Sequence, residues 1–499
     1  MTRSLLSPTL ATPAPRAMGI LLDLQALRDP DRPAVTCDGR TLTRAEFAAR
    51  ANRRARALQR AGVIAGDFVA IALPNGPAFL ELAFASWILG ATPAPVSYRL
   101  PALELSAIID LMQPRLVIGG EATRAAGVAF MDEAATYDET LSPEPLPEQI
   151  AAHVKAIASG GSTGRPKVIV DHAPSVCDPD NPSLGMEGGD TVVIPGPLYH
   201  AAPFGLAYMA LCWGCHVVIT RRFDPSETLR LIGEHQAQWA YLVPTMMHRI
   251  WRLPDAERAA ADVSSLEMIV HIASACPVWL KEKWIEWLGP DRVWEVYSGT
   301  EAMGGTSIGG REWLTHKGSV GRLMPGSQIK ILKEGGEEAA PNEIGEVYFL
   351  PAGGRGATYH YIGAEPRALG EWETFGDLGH IDEEGYLYLA DRRTDLIISG
   401  GANIYPAEVE AAVDAYPGVL SSVVVGLPDE DLGQRVHAIL EMPAEAGPLD
   451  VEAVKAFLAA RIAPYKLPRS FEVTAERLRD DAGKVRRSAL RDERAKAPA

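Results

Sequence analysis

The 499-residue chain has few of the features that would set it apart from ordinary globular proteins. Cysteine is sparse, with Cys37, Cys177, Cys212, Cys215 and Cys276 the whole set. So thin and odd a set in a long chain excludes a disulfide-built scaffold and reads as reduced and cytoplasmic. No apolar run is fit to cross a bilayer. The longest, residues 79–96, is broken by Glu81, Pro93 and Pro95 and reads as a buried helix running into a strand. Positive charge is in deficit, 48 Lys and Arg against 64 Asp and Glu for a net −16, which argues against a general binder of nucleic acid or anionic membrane. A polyanionic ligand must therefore meet a local basic cluster, at residues 165–167, 392–393 or 484–487. Residues 1–18 are rich in Ser, Thr, Pro and Ala without an export-type apolar core, and are expected as a disordered tail.

Cys212 and Cys215 form a C-x-x-C followed by His216, formally a haem-attachment pattern. The pair lies inside the apolar segment 206–219 with no second cysteine pair, so buried packing is the expectation.

What the chain does have is alternation. Residues 44–61 read as an amphipathic helix, with Thr43 and Glu46 at capping-box spacing. Residues 67–73 read as a strand and 77–89 as a second helix. Short apolar runs at 192–194, 217–220 and 241–243, bounded by turn residues, complete an α/β pattern with buried sheets. The texture changes after Asp391. Residues 385–389 read as a hairpin strand, Tyr405-Pro406-Ala407-Glu408 opens a helix, 423–425 is a strand and 450–461 a further helix. A large N-terminal multi-sheet α/β domain (19–392) and a small α+β C-terminal domain (395–499) are expected, joined near 393–395. The chain is long enough for two cores.

The strongest local signal is Ser159-Gly160-Gly161-Ser162-Thr163-Gly164-Arg165-Pro166-Lys167. Three glycines allow close backbone approach to an anion and direct N–H groups at it. Ser162 and Thr163 add hydroxyl donors, and Lys167 adds a point charge. The spacing is not that of a Walker loop.

This run resembles the phosphate loop of the adenylate-forming superfamily, and the resemblance continues in order along the chain. Tyr297-Ser298-Gly299-Thr300-Glu301 is similar to the family's Tyr-Gly-x-Thr-Glu segment. Gly376-Asp377 resembles Thr-Gly-Asp, with Phe375 where threonine is usual. Asp391-Arg392 with residues 399–410 resembles the hinge and the start of the small domain, and Gly483-Lys484 with Arg486-Arg487 the terminal lysine motif. The resemblance implies an ATP-dependent acyl-CoA synthetase: an acid and ATP give acyl-AMP and pyrophosphate, then coenzyme A gives acyl-CoA and AMP.

The residue chemistry suits those roles. Glu301 is a hard oxygen ligand for magnesium, and Thr300 can donate to the α-phosphate beside Ser298 and Gly299. Tyr297 and the Ala273-Ser274-Ala275 turn offer surfaces to adenine. Asp377 suits ribose hydroxyls, and the resemblance adds Arg392 there. It also makes Lys484, with Thr163, Lys167 and His200, part of the catalytic set. By the same resemblance Thr394 is the hinge, where Asp or Lys is more usual, and Gly400 and Gly401 line the coenzyme A tunnel.

Pro197-Leu198-Tyr199-His200-Ala201-Ala202-Pro203 resembles the acyl-CoA synthetase version of the pocket gate, with His200 between the carboxylate site and the tunnel. Phe204, Gly205, Met209, Met303, Gly304 and Gly305 are the candidate liners of the acyl pocket, apolar or small and without a charge to anchor a second polar end. Residues 239–253 and 271–313 resemble bile-acid and steroid-type CoA ligases, which implies a bulky polycyclic acid, steroid or terpenoid, with aromatic and fatty acids as the other classes. The alternatives are transfer to a carrier-protein thiol, or a protein performing mainly one half-reaction. A homodimer is a common outcome for a soluble enzyme.

Overall fold

The computed structural model describes residues 3, 14–124, 127–160, 166–392, 394–480 and 483–495. Among these residues the largest sheet has 15 strands. Its parallel half runs Pro33–Cys37, His216–Ile219, Thr191–Ile194, Trp239–Leu242, Met268–His271, Val293–Ser298, in that spatial order. These segments are nearly unbroken apolar runs because helices cover both faces and no side is left to water. Beyond Val293–Ser298 the sheet turns antiparallel through Gly305–Gly309, Ser319–Leu323, Leu387–Arg392, Asp377–Ile381 and Gly345–Pro351. A second, parallel sheet holds Thr92–Pro95, Phe68–Ala72, Leu116–Gly119 and Phe130–Asp132. Three antiparallel strands, Tyr359–Ile362, Pro166–Asp171 and Ala156–Gly160, form a third. The expected mixed α/β architecture is what the chain adopts.

Local chemistry accounts for the element ends. The Arg44–Arg60 helix carries the full capping box: the Thr43 hydroxyl accepts from the Glu46 N–H and the Glu46 carboxylate from the Thr43 N–H, which satisfies two otherwise orphaned donors. Asp450 caps the Val451–Ala459 helix through the Ala453 N–H. The Pro77–Ile88 helix is the apolar run that Glu81 interrupts, and Glu81 is fully buried. Its carboxylate is matched twice, by Arg50 at 2.6 Å and Arg54 at 2.5 Å, as a charge out of water must be. Against that helix packs Ala201–Cys212; Phe79, Trp87, Phe204 and Tyr208 meet there at ring centroid distances of 5.0–6.2 Å. Cys212 and Cys215 are both buried, and burial pushes the Cys215 thiol up to about 12 and that of Cys212 well above its usual range. Both act as packing groups. No helix among the described residues is long and apolar enough to cross a membrane.

The amino-terminal segment differs from the expected tail at two places. Arg16–Ala17 pairs antiparallel with Val176–Cys177, and Arg3 forms ion pairs with Asp190 and Glu267. Single anchors of this kind leave no trace in composition, which is why the segment reads as unstructured.

The last hundred residues have their own hydrophobic cores, beginning at Ile397. A hairpin of Ile397–Ser399 and Ala402–Ile404 precedes the Pro406–Asp414 helix. Ser421–Asp429 pairs antiparallel with Gly433–Glu441, which pairs in parallel with Ser470–Thr474.

Candidate active site

The quoted segments converge at the carboxyl ends of the parallel strands, where the large sheet changes from parallel to antiparallel. Open α/β sheets bind ligands at such ends. The strands flanking the Gly/Ser/Thr loop are paired, Gly160 opposite Pro166 and Ser159 opposite Lys167. The loop residues Gly161, Ser162, Thr163 and Gly164 themselves lie outside the described residues.

Lys167, at the near end of its strand, reaches Glu301: its Nζ lies 3.6 Å from Oε1. Glu301 is 8 % exposed, accepts the Tyr361 hydroxyl at 2.6 Å, and its carbonyl accepts from the Thr358 hydroxyl at 2.9 Å. A buried carboxylate with one oxygen free among the described residues suits magnesium, which takes one or two carboxylates and completes its shell with phosphate oxygens and water.

The Tyr297 hydroxyl donates to the Asp377 carboxylate at 2.7 Å, joining the adenine and ribose candidates, and Asp377 stands opposite Arg392 on the adjacent strand. Tyr297 thus shares one wall with Asp377 and Arg392, 80 and 95 positions further along the sequence. The Ser298 hydroxyl donates to the Gly304 carbonyl at 2.9 Å, while Gly299 and Thr300 are half-buried on the same stretch. Phe375 is accommodated by Gly299: a Cβ there would fall 2.2 Å from its ring. Ser274 and Ala275 follow the Met268–His271 strand after Ala273, whose φ is +85°, and Ala302 beside Glu301 has φ +52°. Both are left-handed for a residue with a Cβ, and such strain gathers at functional sites.

Seating of the terminal segment closes the site. Gly483 is buried against the start of the Pro244–Trp251 helix, where a Cβ would meet the Thr245 hydroxyl oxygen at 2.9 Å. The Lys484 N–H donates to the Asp480 carboxylate at 2.9 Å, and that carboxylate lies 3.5 Å from His200 Nε2. Arg486 pairs with Glu104 at 3.0 Å, and Arg252 donates to the Asp414 and Tyr416 carbonyls at 3.1 and 3.3 Å. Thr394 is exposed, its hydroxyl turned to Asp395. Gly400 and Gly401, with φ of +57° and +80°, form the two-residue turn of their hairpin, a conformation open to residues without Cβ. The Gly400 N–H donates to the Leu432 carbonyl at 2.9 Å, within the small unit.

The acyl-pocket candidates divide. His200 stands at the N-cap of the Ala201–Cys212 helix. Gly205 and Met209, four residues apart and partly exposed, share a face of it, with open space at the Gly205 Cβ position. Phe204 is turned the other way and is fully buried in the main core. Met303 is 1 % exposed and belongs to the core under the antiparallel strands. A Cβ on Gly304 would meet Phe349 at 2.5 Å and Ser327 at 2.6 Å, and one on Gly305 the Tyr297 carbonyl at 2.6 Å. Met303 thus fills the core and the two glycines admit the close approach of Phe349, Ser327 and Tyr297, where pocket lining was expected.

Three contributors escaped the sequence reading. Asn75 donates to the Gly196 and Thr220 carbonyls and accepts from the Leu198 N–H, fastening the gate loop; its only local signal is the Pro-Asn-Gly turn. Arg252 and Tyr361 carry no motif at all.

The chain belongs to the adenylate-forming superfamily, in its acyl-CoA synthetase branch: residues 22–353 match the AMP-binding enzyme family and 408–484 the AMP-binding enzyme C-terminal domain. It is an AMP-forming acid–thiol ligase, a class whose small molecules are ATP, magnesium and coenzyme A. A feruloyl-CoA synthase of Amycolatopsis sp is 32% identical over 94% of this chain and 97% of its own. A fatty acid–acyl-carrier-protein ligase of Streptomyces coeruleorubidus is 30% identical, covering 94% of each. Among solved structures, the o-succinylbenzoate CoA synthetase of Bacillus subtilis in complex with its acyl-adenylate intermediate superposes with a TM-score of 0.80 at 25% identity, over 96% of this chain and 99% of that one.

Proposed function

We propose that the cleft between the Tyr297–Glu301 wall and the seated terminal segment activates a bulky apolar carboxylic acid and delivers it to coenzyme A. The observation that carries this reading is the seat of Gly483 on Thr245, with Asp480 beside His200, which brings the Lys484 turn to the gate.

In the first step a carboxylate oxygen attacks the α-phosphorus of ATP and pyrophosphate leaves. Lys167 and the loop residues Ser162 and Thr163 hold the outgoing phosphates, Thr300 donates to the α-phosphate, and Lys484 meets the negative charge that develops there. Tyr297, Ser274 and Ala275 seat the adenine; Asp377 and Arg392 hold the ribose. Magnesium, when bound beside Glu301, offsets charge on the triphosphate. In the second step the thiol sulfur attacks the acyl carbonyl and AMP leaves. His200 gates the thiol's approach, Thr394 turns the small unit, and the Gly400–Gly401 turn then stands where Lys484 stood.

For the acid, the open face of Gly205 and Met209 supports an apolar guest. A polycyclic acid is the reading that sequence resemblance supports, and the relatives' names add aryl and fatty acids to the panel. The carrier-protein thiol remains the second acceptor to test, because one relative at 30% identity is named for it.

Pyrophosphate release across polycyclic, hydroxycinnamic and long-chain acids, followed by thioester detection with coenzyme A and with carrier protein, tests the whole reading. Lys484→Ala should lower acyl-AMP formation by on the order of a thousandfold, about 4 kcal/mol of barrier, and leave thioester formation from supplied acyl-AMP largely intact. An equal fall in both half-reactions would remove Lys484 from the first.

A further inference from the structure

The two oxygens of Glu301 are treated unequally. Oε1 accepts the Tyr361 phenol and faces Lys167, whereas Oε2 has no partner among the described residues. The Lys167 ammonium also lies 3.9 Å from the centre of the Tyr361 ring, a cation on the negative face of the aromatic system. One tyrosine thus touches both charged groups, its hydroxyl on the carboxylate and its face under the cation. Its own position is fixed by the sheet: Tyr361 stands opposite Ile169, two residues along from Lys167 on the neighbouring strand. Thr358, one residue before that strand begins, ties the Glu301 carbonyl to the same segment.

We propose that Tyr361 is a positioning residue for adenylation. By occupying Oε1 and carrying Lys167 on its face, it presents Oε2 to the cation and keeps the ammonium from closing on the carboxylate. Without the hydroxyl, Glu301 is free to turn and draw in Lys167, and each charge then cancels the other instead of meeting its ligand. This inference rests on Glu301 being the magnesium-facing carboxylate.

The test separates the two claims. Tyr361→Phe keeps the ring and its cation contact and removes only the hydroxyl; Tyr361→Leu removes both. Manganese serves as the probe, its binding to the full-length protein with a non-hydrolysable ATP analogue followed by loss of the free-ion paramagnetic resonance signal. Manganese affinity should fall roughly tenfold in Tyr361→Phe, about 1.4 kcal/mol, and further in Tyr361→Leu. In the Phe variant, nucleotide affinity without metal and the thermal unfolding midpoint should stay near wild type, and the magnesium dependence of pyrophosphate release should shift in parallel. Wild-type manganese affinity in Tyr361→Phe overturns the proposal. So does an equal loss of metal-free nucleotide binding, which a merely structural tyrosine would give. If the unaltered protein binds manganese and nucleotide but Glu301→Gln does so equally well, the reading of Glu301 falls, and this inference with it.

Discussion

Glu301 and Glu410 are buried to nearly the same degree, 8 % and 6 % exposed, yet their surroundings treat them in opposite ways. Glu410, on the Pro406–Asp414 helix, accepts from Arg479 at 2.8 Å, from Arg487 and from the Val424 N–H. Burial alone would raise its pKa, but Arg487 and Arg479 prevail and hold it below the usual carboxylate range. Glu301 has one tyrosine, a lysine at 3.6 Å and, among the described residues, an open oxygen. The comparison separates two kinds of buried acid: one whose bonding capacity is filled by its own chain holds structure together, and one left short among the described residues is the place to test for a ligand.

The sharpest way to break this contrast is to delete the saturated member. Glu410→Ala strips two largely buried arginines of the carboxylate they share, with Arg487 keeping Asp395, and breaking a buried pair costs about 3–5 kcal/mol. Thermal unfolding should show the small unit destabilised by that amount. A variant as stable as wild type would mean that solvent takes over the role of the carboxylate.

The same deletion of charge at the other site should act on rate rather than stability. Glu301→Gln keeps an oxygen for Tyr361 and removes the negative charge. The expected loss in kcat/KM for acyl-AMP formation is about a hundredfold, equivalent to about 2.7 kcal/mol, with an unfolding midpoint close to wild type. A stability loss with no change in rate would invert the comparison.

A third carboxylate sharpens it by pH. Asp414 lies one helical turn beyond Glu410, and burial raises its pKa to about 7, against weaker lowering by Arg479. The folded form therefore holds this proton more tightly than the unfolded chain does. Stability from the group is full below about pH 4, declines as pH rises, and is lost above about 7. Asp414→Asn should flatten the fall in stability between pH 5 and 8, which at about 1.4 kcal/mol per pH unit up to pH 7 amounts to about 2–3 kcal/mol. An unchanged slope would place the titrating group elsewhere.

Much of this was legible in the sequence because it is local. Thr43 and Glu46 announce a cap that closes within one turn, and the apolar runs at 192–194 and 217–220 overlap strands that pair in parallel. Tyr297 and Asp377 were found by motif and meet in space. The burial of Phe204 escaped the sequence for a definite reason. The Ala201–Cys212 helix is apolar on all sides, so its periodicity cannot tell which face meets the core, and Phe204 is fully buried where Gly205 and Met209 stay partly exposed. Tyr361 was invisible because its partner Glu301 lies 60 residues away, and nothing in a tyrosine's neighbours reveals such a contact.

The contact between Phe375 and Gly299 has a consequence for anyone exchanging residues among these enzymes. A Cβ at position 299 would lie 2.2 Å from the ring, so a side chain there cannot coexist with phenylalanine at 375 in its present place. Reversal of Phe375 to threonine alone would instead leave a void beside Tyr297 and Phe349, whose rings it now touches at 6.1 and 5.4 Å, and an unfilled cavity is itself destabilising. The two sites form a single locus seventy-six positions wide, to be transplanted together or left alone.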